Sequence, residues 1–112
     1  MNSEIFIHLF HILLVSSLFF YVGIQRNKIP HVMFSILIGI GIFIAGYHLF
    51  KALKKKDAWV NYIHIFLIAP LLVFIGFTKE KTPRKYFEMV LLLGFASLGY
   101  HGYYLVQTLS HS

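Results

Sequence analysis

The chain has no cysteine among its 112 residues, and only four acidic side chains against ten basic ones. Without cysteine there is no disulfide, no thiolate metal site and no cysteine nucleophile. Charged residues make up 12% of the chain, about half the share a soluble domain carries, so most of its faces are not built for water. No phosphate loop, nucleophile–base pair or close pair of carboxylates is present. These absences set aside hydrolases and transferases and leave a redox subunit as the most an enzymatic reading could claim.

The formal net charge is +6, and all ten Lys and Arg residues lie in or next to the connections between apolar blocks. Membrane proteins keep their flanking charges there. No basic stripe interleaved with aromatics exists, so nucleic acid is excluded as a partner.

What the chain has in quantity is apolar side chains, 58% of all residues with a mean hydropathy of +0.73. They fall into four blocks of roughly 20 residues each, the length that crosses about 30 Å of hydrocarbon as a helix. A soluble four-helix bundle would need a polar outer face, yet Ile36 to Ile44 has no polar side chain all round the helix. The expected class is therefore an all-α, multi-pass integral membrane protein with the lipid bilayer as its first partner. Its spans are expected at about 4–23, 30–53, 58–77 and 84–108, forming one domain over residues 1–112. The first block lacks a basic leading segment, carries Glu4 and offers no small-x-small cleavage site, so it reads as a span rather than a signal peptide. Pro30 and Pro83 suit helix starts, and Pro70 should kink the third span or free a carbonyl.

The blocks echo one another. Gly46-Tyr47-His48 recurs as Gly99-Tyr100-His101, and each closes an apolar run opened by Lys-x-Pro, at Lys28 and at Lys81. Phe34 matches Phe87 and Gly41 matches Gly94 in the same frame. A looser echo sets Ile7-His8-Leu9-Phe10 beside Ile63-His64-Ile65-Phe66. The chain is thus expected to be a tandem repeat of two helical hairpins, residues 1–53 and 57–109, in a bundle with a pseudo-twofold axis along the membrane normal. Ser35, Gly39, Gly41, Ala45 and Gly46, then Gly94, Ala96, Ser97, Gly99 and Gly102, are expected to let the helices approach closely, with Ser35-x-x-x-Gly39 and Gly41-x-x-x-Ala45 in the small-x-x-x-small pattern. The turns near residues 25–28 and 78–85 carry six basic residues and the opposite face four, which places the termini away from the cytoplasm.

Histidine depth follows from spacing. His48 and His101 each lie 18 residues after their proline, and His8 and His64 each lie 17 residues before a polar turn. At 1.5 Å per residue all four come to about 25–27 Å from one face. One histidine per helix at one level is a candidate shared site, because ionisable groups within spans usually face the interior and mark function. Imidazole suits Cu, Zn and Fe, and two opposed imidazoles can ligate a haem iron. Gly41 and Gly94 lie seven residues before His48 and His101, two turns deeper on the same face, where a porphyrin edge would need bare helix. This pattern resembles that of four-helix membrane b-type cytochromes, which implies haem b held by His48 and His101. The alternative centres are a metal held by His8, His48, His64 and His101, or no cofactor. Glu4, one turn before His8, is placed to accept its ring N–H. His11 lies one turn deeper than His8, and Glu88, with Ser16, Ser17, Tyr21 and Ser97, could begin a polar path from the opposite face.

Three functions compete on this reading. The first is a small electron carrier or redox-complex subunit. The second is a structural or assembly subunit, in a larger complex or a virion membrane, with other membrane proteins or further copies of itself as partners. The third is a proton or cation channel gated by titrating histidines.

Overall fold

A computed structural model of the chain describes residues 3–54 and 62–110. Among the described residues there are only helices and the short turns that join them. Helix α1 (Ser3–Phe10) runs through a π-helical turn (His11–Val15) into α2 (Ser16–Gln25) as one rod. A 3-10 turn (Arg26–Lys28) leads to α3 (His31–Lys54). A second π-helical turn (His64–Ile68) leads into α4 (Ala69–Thr78), and a 3-10 turn (Lys79–Lys81) precedes α5 (Arg84–Ser110).

The elements begin and end for local reasons. Pro30 and Pro83 immediately precede α3 and α5, and their carbonyls accept from Met33 N–H and Tyr86 N–H at 2.8 and 3.1 Å, closing each first turn. Proline lacks a donor, and no donor is used at that place. Both chain reversals put a non-glycine residue in the left-handed region, Arg26 at φ 56° and ψ −129° and Lys79 at φ 56° and ψ −133°. A Cβ there costs of order 1–3 kcal/mol. The second reversal is closed further by Thr82, whose hydroxyl contacts Lys79 O at 2.7 Å and the Thr78 hydroxyl.

Three segments, Glu4–Lys28, His31–Lys54 and Arg84–Ser110, are long and apolar enough to cross a membrane. The third expected span is described only from Tyr62, and its first residues, Ala58–Asn61, lie outside the described residues. Large apolar side chains face outward on every rod: Leu13 is 63% exposed, Phe43 68%, Phe66 74% and Leu92 67%. The amphipathic contrast of a helix bathed in water is missing.

The chain divides into two compact units. The first joins Met1–Arg26 with Phe87–Ser112, so the N-terminal rod packs on α5. Its core is Phe19, Val22, Phe87 and Val90, all 2% exposed or less. A Cβ on Gly23 would lie 2.9 Å from the Leu91 backbone, and one on Gly94 would press on Phe19 and Phe20. The second unit, Asn27–Tyr86, packs α3 on α4 around Phe34, Leu37, Leu72 and Ile75. There a Cβ on Gly76 would lie 2.6 Å from Phe34 O, and one on Gly41 would lie 3.0 Å from Ala69 O. Bare glycine lets neighbouring helices approach closely at these four points. The expected close contacts at Gly39, Gly46 and Gly99 are not made: a Cβ on any of them meets nothing within 4 Å. The register of the Gly-Tyr-His tripeptides turns their glycines outward while their histidines turn in.

Candidate functional site

In the first unit three imidazoles meet. His8 and His101, 9% and 8% exposed, place their Nδ1 atoms 2.9 Å apart, so one nitrogen donates and the other accepts. The His11 ring stacks on His101 with centroids 4.2 Å apart and planes 20° apart. His11 also donates from Nδ1 to the Ile7 carbonyl at 2.8 Å. Tyr104 stacks over His8 with centroids 6.2 Å apart.

The second unit repeats one of these contacts. His64 stacks on His48 with centroids 4.0 Å apart and planes 22° apart. His48 is buried and His64 half-buried.

The π-helical turns position these rings. Each begins at the stacking histidine, and each closes with a backbone N–H five residues on, Ser16 to His11 O and Ala69 to His64 O. An extra residue in the turn rotates the helix before it relative to the helix after it, and such turns gather at functional sites. The proline at 70 fits the second one, since its ring would clash with the Phe66 carbonyl in a regular helix. The first turn has Ser17 in that place, so proline is not the common cause.

Within the units, the rings in contact are His101 with His8 and His11, and His48 with His64. The wide turns begin at His11 and at His64, 53 residues apart. The bare strips expected to admit a porphyrin are occupied, by Ala69 and Val73 at Gly41 and by Phe19 and Phe20 at Gly94. Glu4 is exposed, and the bonded ring nitrogen of His8 goes to His101 instead. Glu88 is exposed on α5. His31, at the far end of the second unit, pairs with Glu80 at 3.5 Å on the surface, a contact worth at most about 1 kcal/mol.

Two hydroxyls complete the first unit's polar set. Ser16 Oγ and Ser97 Oγ are buried and have no hydrogen-bond partner among the described residues. Leu91 faces Gly23, Gly94 faces Phe19 and Phe20, and His101 faces His11. That antiparallel register sets Ser16 level with Ser97, between the glycine contact and the histidines. Among the described residues no group of three or more His, Cys, Asp or Glu side chains converges as a ready metal site.

No family model, curated protein or solved structure matches the chain.

Proposed function

We propose that this chain is a multi-pass membrane protein, duplicated from a two-helix unit, whose buried imidazoles hold a transition-metal centre as a small electron carrier or a subunit of a redox complex. The observation that carries this is the twice-built contact of imidazoles from different helices, His101 with His11 and His48 with His64, in a chain otherwise poor in polar groups. Such groups are expensive in hydrocarbon, and a bound metal is one of the few things that repays them. The duplication is supported by local features that recur 53 residues apart. The wide turns start at His11 and His64, the left-handed residues are Arg26 and Lys79, and the packed glycines are Gly23 with Gly76 and Gly41 with Gly94.

Of the candidate centres, a bare Cu, Fe or Zn ion fits better than haem b. The glycines that would admit a macrocycle carry helix packing instead, and the stacked rings leave no slot between them. A channel fits less well, because beneath Ser16 and Ser97 the first unit is filled by Phe19, Val22, Phe87 and Val90. Membrane partners fit the outward glycines Gly39, Gly46, Gly99 and Gly102, beside which a second helix could lie closely.

Elemental analysis and the visible spectrum of detergent-purified protein test the proposal. Roughly stoichiometric metal, lost when the buried histidines are replaced by alanine, is the expected result. A Soret band would restore haem. A metal-free, colourless protein that takes up no added metal would leave the assembly reading.

A further inference from the structure

We infer that the metal centre lies in the first unit, as a hydrated ion held by the Nδ1 atoms of His8 and His101. This rests on the metal-centre reading above and says where the ion is and what surrounds it.

In the first unit two imidazole nitrogens already converge, 2.9 Å apart. With metal–nitrogen bonds of about 2.0 Å, a tetrahedral ion needs its ligand nitrogens roughly 3.3 Å apart. A few tenths of an ångström of ring rotation convert the hydrogen bond into a ligand pair. His11 is a positioning residue: stacked on His101 and tied to the Ile7 carbonyl, it fixes the plane in which His101 can rotate.

Two protein ligands leave the remaining positions of such an ion to water, in keeping with the lack of a third converging donor among the described residues. Coordinated water inside an apolar core needs hydrogen-bond partners of its own. The first unit holds two buried hydroxyls without partners, Ser16 and Ser97, and Ser97 lies one helical turn before His101. An unpaired buried hydroxyl costs about 1–3 kcal/mol, so nothing in the packing alone accounts for two of them. At the corresponding places of the second unit, 53 residues away, stand Ala69 for Ser16, Ile44 for Ser97 and Asn61 for His8. Neither serine hydroxyl recurs there.

The test is Cu2+ titration of the chelator-stripped, detergent-purified chain in a His31→Ala background, read by competition binding and by electron paramagnetic resonance. His8→Gln, His8→Ala and His101→Ala should each weaken Cu2+ binding by roughly 100-fold and simplify the nitrogen hyperfine pattern. His48→Ala and His64→Ala should stay within about twofold of the background, with circular dichroism confirming fold in all five. The double variant Ser16→Ala/Ser97→Ala should move two readouts in opposite directions. Copper affinity should fall roughly 10-fold, as when a group supporting a metal's ligands is lost, while the metal-free protein should melt a few degrees higher. Loss of binding in His48→Ala or His64→Ala, with His8→Gln unaffected, would move the ion to the second unit and overturn the inference while the metal reading stands. Copper affinity unchanged in the serine variant would remove the hydrated pocket. No binding by the background protein at millimolar Cu2+ would overturn both the location and the metal reading.

Discussion

At the scale of single residues, the most unusual positions are Arg26 and Lys79, the two side chains held at positive φ. Glycine adopts that conformation without steric cost, although it gives up more freedom on folding. Arg26→Gly and Lys79→Gly should therefore each stabilise the chain by about 1 kcal/mol, measured as an increase in thermal midpoint in detergent. Destabilisation would mean that the basic side chains hold the reversals by contacts that outweigh the strain. Neither position is legible in the sequence, since nothing in Gln25-Arg26-Asn27 or Thr78-Lys79-Glu80 carries the glycine signal of a left-handed turn. The buried histidines are legible in part. His48 and His101 stand out through a tripeptide written twice. His11 takes a secondary place because the looser Ile-His-x-Phe echo draws His64 toward His8, whereas the 53-residue frame of the tripeptide, carried back through the chain, reaches His11. Ser16 and Ser97 read as polar, but which face of a helix they occupy depends on a turn width that composition does not encode.

The π-helical turn is the element that sets the site. Leu13 points outward within the first of them, 63% exposed, so its deletion removes no core side chain. Deleting it should return the rod to a regular helix and turn His8 and His11 about 100° away from α5. The expected outcome is unchanged helical circular dichroism with loss of copper binding; retained binding would show that the wide turn is incidental. Pro70→Ala, in contrast, should change stability by less than about 1 kcal/mol, because the first rod makes the same wide turn with Ser17. Helix packing gives a further comparison. Gly23→Leu and Gly76→Leu should each cost about 1–3 kcal/mol or more, because their added carbons meet the backbone of a neighbouring helix. Gly46→Leu and Gly99→Leu should be tolerated in the isolated chain, and a drop in thermal midpoint equal to that of Gly23→Leu would contradict the packing described. All the helices can be anticipated from the apolar blocks and prolines. Which glycines bear the packing cannot, because small-x-x-x-small spacing fits Ser35 and Gly39 as well as Gly41 and Ala45.

For the molecule as a whole, the sequence leads one to expect two hairpins, each made of consecutive helices. The compact units join the N-terminal rod with α5 and α3 with α4. Composition recognises a helix that avoids water, but in an apolar chain it does not choose that helix's neighbour, since every candidate face is equally greasy. Choice falls to local shape, to Gly23 against Leu91 and Gly76 against Phe34 and Ile38. The transmembrane reading has its own test, made simple by the absence of cysteine. Single cysteines at Asn27 and Glu80 should react with a membrane-impermeant maleimide from one side of the bilayer, and one at Thr108 from the other. Labelling of all three from a single side would rule out the proposed crossing.

The pairing of the first rod with the last helix also sets an order in time. Asn27–Tyr86 is one continuous stretch and can assemble as soon as Thr78 has been synthesised. The unit that holds His8 and His11 has no partner until residues beyond Phe87 leave the ribosome. Throughout that interval the N-terminal rod carries its polar side chains without α5 to receive them. A chain interrupted before His101 would lack one of the two proposed ligands, so metal capture at the proposed site would report that α5 has been made and has docked.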